Sequence, residues 1–140
     1  MKKQTGIWID GSKAIVIALK GGKETVQEIA SEIETSVHHA HEGDKGSFMG
    51  ARHINNEKKI DERKKHQVDQ FLDKVINQVK EADELFVMGP ASLKLKLKTR
   101  IEENHLIKNK LKGVETSAQM TINQCVEKVK TFYKESNSAN

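Results

Sequence analysis

The sequence predicts an α/β protein: a three-layer-like sandwich on a mixed sheet, with an N-terminal antiparallel β-meander followed by α-β-α-β-α. Three observations predict it. Short apolar runs separated by glycine turns fill the first 31 residues. From about residue 56 the apolar residues recur at three- and four-residue spacing, as on a helix face. Beyond that, strand-like and helix-like patterns alternate, and such alternation is expected to give parallel strands joined by right-handed crossovers.

TGIWI (5–9), KAIVIALK (13–20) and ETVQEIAS (24–31) read as the three meander strands. Asp10-Gly11 and Gly21-Gly22 separate them, and both suit type I′ turns, whose two central residues need positive φ. AIVIAL is apolar on both faces, as expected for a strand covered on both sides. Residues 34–56 show no period and are rich in Gly, His, Ser and Asn, so a mobile loop is expected there.

Residues 56–82 read as a helix whose stripe is Ile60, Val68, Phe71, Leu72, Val75, Ile76 and Val79. Lys64 occupies that stripe where an apolar residue would fit, so the first turns are expected to reach beyond the core. ELFVM (84–88) reads as a strand closed by Gly89-Pro90. KLKLK after it alternates like a strand. However, Leu93, Leu97 and Ile101 recur every four residues, and Pro90 suits the first turn of a helix, so a helix is expected. KLKGVETS (110–117) reads as the last strand. Thr116 and Gln119 have the spacing of a capping box for a final helix with Ile122, Val126, Val129 and Phe132 or Tyr133 on its buried stripe. Residues 135–140 are expected to fray, and the 140 residues to form one domain.

Composition narrows the function. A lone cysteine, Cys125, cannot form an internal disulfide and suits a reducing compartment. No stretch approaches the ~18 apolar residues of a membrane span, so a cytoplasmic protein with no membrane partner is expected. The net charge is +4, yet residues 94–112 alone carry seven Lys/Arg against two Glu. Such a concentration suits phosphate backbones or an acidic protein face.

Candidate chemistry is sparse. His38, His39 and His41, with His53 or His66, could approach a transition metal, but no cysteine partner or structural-zinc spacing accompanies them. No metal or cofactor is therefore expected. Ser47 has histidines near it in sequence, but there is no G-x-S-x-G elbow, and Cys125 falls inside a helix pattern. Asp10 reads as a turn residue; Asp61, Glu62 and Glu84 are not spaced as partners in a two-metal site. Gly89, Ala91 and Ser92 join a strand to a helix, where free N–H groups could receive an anion, although a P-loop pattern is absent. Aromatics are 4% of the chain, too few for a stacking platform. Any RNA contact is thus expected to be to phosphate and shape.

GSFMGARHINNEKKIDERKKHQVDQFLDKVINQV, ADELFVMGPASLKLKLKTRIEE and LKGVETSAQMTINQCVEKV, in this order and spacing, resemble the middle domain of archaeal and eukaryotic class 1 peptide-chain release factors and of Pelota. They are similar also to small stand-alone bacterial translational machinery proteins. In release factors a GGQ tripeptide sits on a loop before a long helix. Aligned on Arg52, that position here is Gly46, Ser47 and Phe48, and the glutamine has no counterpart. The resemblance therefore implies a non-enzymatic partner of the ribosome or of tRNA, with no catalytic residue and no peptide release. Arg52, Lys58, Lys59, Lys64, Lys65, Lys94, Lys96, Lys98, Arg100, Lys108, Lys110 and Lys112 are the expected phosphate contacts. The alternatives are a hydrolase or nuclease built on the histidine-rich loop, and a protein-interaction module for an acidic partner.

Overall fold

The computed structural model describes residues 2–33 and 50–138, and within the second span the side chains of residues 62–135. The described chain forms β1 (Lys3–Ile9), β2 (Lys13–Lys20), β3 (Lys23–Ala30), α1 (Gly50–Val79), β4 (Glu84–Gly89), α2 (Leu93–Glu103), β5 (Leu111–Thr116) and α3 (Ile122–Ser138). The sheet order is β3-β2-β1-β4-β5. The pairs β1–β2 and β2–β3 are antiparallel, while β1–β4 and β4–β5 are parallel. This is the expected mixed-sheet α/β sandwich.

Two cores lie on the two faces of the sheet. Ile7, Ile9, Ala14, Val16, Leu85 and Val87 meet Phe71, Leu72, Val75 and Val79 of α1 and Leu93, Leu97 and Ile101 of α2. Trp8, Ile15, Ile17, Phe86 and Met88 meet Cys125, Val126, Val129 and Tyr133 of α3. Neighbouring residues of β1, β2 and β4 thus point into different layers, as the period of two requires. The doubly apolar AIVIAL is explained: Ala14 and Val16 serve one core, Ile15 and Ile17 the other.

Several local expectations are corrected. Gly21 and Gly22 take φ of 58° and 82°, as a type I′ turn needs. Asp10 and Gly11 do not have positive φ. There the side chain shapes the turn: Asp10 Oδ1 accepts from Ser12 N at 2.8 Å, Ser12 Oγ at 2.9 Å and Lys13 N at 3.0 Å. An aspartate that bonds the backbone two residues on replaces the left-handed pair. Helix α1 begins at Gly50 rather than residue 56, so residues 50–56 of the expected loop are helical. Ala51, Arg52 and Glu57-Lys58-Lys59 are good helix formers, and propensity rather than periodicity carries that end. Residues 34–49, with Gly46, Ser47 and Phe48, lie outside the described residues.

Residues 93–98 are helical, as the four-residue repeat indicated. The capping box lies at Thr121 and Gln124, not at Thr116 and Gln119. Gln124 N donates to Thr121 Oγ1 at 3.1 Å and Thr121 N to Gln124 Oε1 at 2.9 Å. The stripe of α3 contains Cys125, while Ile122, the first residue of the helix, is exposed. The backbone of α3 continues to Ser138, well into the tail expected to fray.

Candidate nucleic-acid interface

Strands β1, β3, β4 and β5 fall into place around one end of the sheet. The parallel strands β1, β4 and β5 all finish there, and so does β3, which is antiparallel to β2. Each helix follows a strand that finishes at this end: α1 after β3, α2 after β4 and α3 after β5. All three N-termini therefore gather at the carboxyl end of the parallel strands, each carrying the partial positive charge of its free N–H groups. The strands also part here. β1 turns to β2 on one side, and β4 crosses through α2 to β5 on the other, the arrangement at which α/β sheets commonly receive ligands.

Helix α1 has 30 residues, and among its described side chains, from residue 62 on, the first apolar one packed on the core is Val68. Residues 50–67 make ~27 Å of helix ahead of Val68. Because α1 runs toward the start of β4, this stretch lies at the same carboxyl end. It carries Arg52, Lys58 and Lys59, whose side chains are outside the described set, and Lys64 and Lys65. Lys64 is half-buried and engaged by a neighbour, whereas Lys65 is exposed.

The connections at this end are closely tied. Ser117 N donates to Gly89 O at 2.9 Å, and Trp8 Nε1 to Ala118 O at 3.2 Å. Gln119 Nε2 donates to Asp10 Oδ2 at 3.1 Å. Gly89 lies so close to β1 that an added Cβ would stand 2.2 Å from the Ile9 carbonyl oxygen. Asp10 is 9% exposed, and both of its carboxylate oxygens accept hydrogen bonds, so it acts as an anchor between the β1–β2 turn and the segment leading to α3.

The expected phosphate contacts do not form one face. Arg100 reaches from α2 to α1, pairing with Asp69 and, at 2.9 Å, with Asp73. It clamps two helices and is not a free cation. Lys94 is 8% exposed, with Nζ 2.8 Å from Ala91 O, so it is not on the outer surface. Lys112 stands 3.9 Å from Glu84. Lys96 and Lys108 are exposed, Lys98 and Lys110 half-buried, and no ion pair engages these four among the described residues. Lys110 O accepts from Leu85 N at the start of β4, so Lys108, Lys110 and Lys112 belong to the opposite end of the sheet from the first turn of α2. Sequence reasoning missed Asp69 and Asp73 as neutralisers of Arg100. Their i,i+4 spacing was visible, but the approach of α1 to α2 was not.

The other chemistry finds no support among the described residues. His38, His39 and His41 lie outside them, and His53 is placed only as backbone of α1. His66 and His105 are exposed. Among the described residues no group of three His, Cys, Asp or Glu side chains could hold a metal ion. Burial pushes the Cys125 thiol above its ordinary pKa, with Lys13 opposing, which disfavours the thiolate that a nucleophile needs. Among the described residues no helix is long and apolar enough to cross a membrane.

No protein-family model matches the sequence, and no curated protein does. The fold does have solved relatives. Pelota from Archaeoglobus fulgidus superimposes with a TM-score of 0.55 at 11% identity, over 92% of this chain and 31% of that one. An archaeal translation termination factor superimposes with a TM-score of 0.51 at 13% identity, over 96% of this chain and 40% of that one. The chain therefore spans well under half of either protein. At such identities the likeness is one of fold. At that level it agrees with the resemblance read from the sequence.

Proposed function

We propose that this chain is a non-enzymatic partner of the ribosome or of tRNA, binding RNA phosphates at the carboxyl end of its parallel strands. One observation carries the reading: cationic groups and helix N-termini collect at that end. They are Lys65 and Lys96, with Lys98 midway along α2, the long basic start of α1 and the first turns of three helices. The fold shared with part of Pelota and part of a translation termination factor supports the choice of RNA over an acidic protein. Absence of the glutamine of the release-factor tripeptide at Gly46-Ser47-Phe48 supports a binding role over peptide release.

Co-sedimentation with ribosomes at two salt concentrations tests it. The protein should pellet with ribosomes near 50 mM salt. If about four phosphates are contacted, affinity should fall roughly 100-fold by about 200 mM, as counterion release demands. Folded protein that stays in the supernatant at the lower salt contradicts the reading.

A further inference from the structure

Strand β3 is an edge of the sheet, and no described strand pairs with its outer side. The ladder to β2 decides which of its backbone groups are left over. Ser31 N donates to Ser12 O at 3.0 Å, and the register runs without a shift from there to Lys20 and Lys23, which flank the Gly21-Gly22 turn. Hydrogen-bonded and non-hydrogen-bonded pairs alternate along an antiparallel ladder. Thr25 and Gln27 therefore bond to β2, while the N–H and C=O groups of Glu24, Val26, Glu28 and Ala30 point outward.

Sheet edges are ordinarily blunted by shortness, a bulge, a proline or lysines along the strand. The other edge, β5, has six residues and a register shift between the pairs Leu85–Leu111 and Phe86–Gly113. Its charges are answered too: Lys112 stands 3.9 Å from Glu84, and Glu115 3.0 Å from Lys128. In contrast, β3 has eight residues, an unbroken register and no proline, and its one lysine is its first residue. Both of its faces are open, with Ile29 alone half-buried. On the face toward α3, Val26 is 42% exposed between Glu24 and Glu28. Lys130 of α3 reaches Glu24 at 3.0 Å, whereas Glu28 has no ion-pair partner among the described residues. Residues 23–33 carry three Glu against one Lys, in a chain whose net charge is +4. The open edge is thus acidic in a basic protein.

We propose that the outer edge of β3 docks an extended segment of a partner protein that carries lysine or arginine, and that this segment adds a strand to the sheet. Its backbone bonds the outward groups of Glu24, Val26, Glu28 and Ala30, the usual source of affinity in strand addition. Side chains two residues apart share a face. A segment with an apolar residue opposite Val26 therefore sets the residues two before and two after it opposite Glu24 and Glu28. Cations at those places pair with Glu28 and join Lys130 at Glu24. A second copy of β3 fits less well. Pairing Val26 with its counterpart sets Glu24 against Glu28 on both sides, and like charges directly opposite destabilise a ladder. The edge runs along the side of the sheet and uses none of the lysines proposed for RNA, so it stands whether or not the chain binds ribosomes.

Amide-resolved hydrogen exchange of the whole chain tests it. In the dilute free chain Thr25 and Gln27 should be protected, while Glu24, Val26 and Glu28 exchange rapidly. A short peptide alternating lysine and valine should slow those three amides saturably, and a peptide alternating glutamate and valine should not. Glu28→Lys changes an exposed side chain and should weaken the lysine peptide about tenfold, because an attraction gives way to a repulsion of similar size. Val26→Pro removes an outward N–H but no bond to β2, a place where edge strands accept proline, and should abolish protection by the peptide. Protection of the three amides in the free chain would mean that the edge is already filled, by this chain or by a second copy, and overturns the proposal. So does equal protection by the two peptides, no protection by the lysine peptide, or unchanged affinity in Glu28→Lys with its fold intact.

Discussion

Thr5 and Tyr133 show what single side chains contribute. Thr5 is 1% exposed, and its Oγ1 has no hydrogen-bond partner among the described residues. Replacing a lone buried hydroxyl with a methyl removes a desolvation cost, so Thr5→Val should raise stability by about 1 kcal/mol in urea unfolding. A loss of stability would mean that the hydroxyl is satisfied in solution. Tyr133 is buried beneath the sheet and donates from its hydroxyl to Thr5 O at 2.7 Å. Burial first, and the charge of Glu84 second, push its phenol above the ordinary tyrosine range. The folded state thus holds this proton more tightly than the unfolded chain. Its contribution to stability is full below about pH 10 and is lost as pH rises beyond that. Burial of Cys125 adds a loss of the same sign from about pH 9 upward. Tyr133→Phe should lower stability near neutrality and flatten the alkaline decline; an unchanged decline would refute the assignment. Asp10 belongs to this scale too. The sequence identified its turn but not its form, because φ at Asp10-Gly11 is decided by where Ser12 and Lys13 place their donors.

At the scale of elements, packing against the sheet is set by what β1 and β5 lack. An added Cβ on Gly6 would stand 2.2 Å from Val129 Cγ2, and one on Gly113 would stand 3.0 Å from Phe132. Phe132 lies flat on Phe86 at 3.9 Å between centroids, so α3 rests on two bare strand positions. Gly6→Ala should cost about 2 kcal/mol through overpacking. In a Val129→Ala background the same change should cost much less, with coupling above about 1 kcal/mol. Additive effects would show that Gly6 is kept for another reason.

The elements themselves were largely legible. Periods of two and of four residues located each strand and helix among the described residues, because burial on one or two faces writes those periods into the chain. What was not legible depended on neighbours. The start of α1 carries no apolar period in the sequence to mark it, and the box at Thr121 was masked by a second Thr-x-x-Gln spacing at Thr116. For the candidate interface, the sequence located the basic residues but not their partners. Arg100 and Lys112 are engaged by acids 31 and 28 residues away in the chain, and no local pattern announces such pairs.

For the whole molecule, the consequence is a polarity that charge counts along the chain conceal. The segment 94–112 runs from the carboxyl end of the parallel strands to the opposite end, so its lysines fall into separate groups. The first turns of α1, the other two helix N-termini, Lys65 and Lys96 share one end, with Lys98 midway along α2. Lys108 and Lys110 lie at the other. If RNA is bound as proposed, only the first group releases counterions.

The most direct measurement is the salt dependence of ribosome affinity for two variants beside the wild type: Lys65→Gln/Lys96→Gln/Lys98→Gln and Lys108→Gln/Lys110→Gln. The first should weaken binding and reduce the slope of log affinity against log salt by about two to three, at roughly 0.7–0.9 for each phosphate no longer neutralised. The second should leave the slope close to that of the wild type. Equal slopes in all three proteins, or weakened binding confined to the second variant, would contradict binding through the carboxyl end of the sheet.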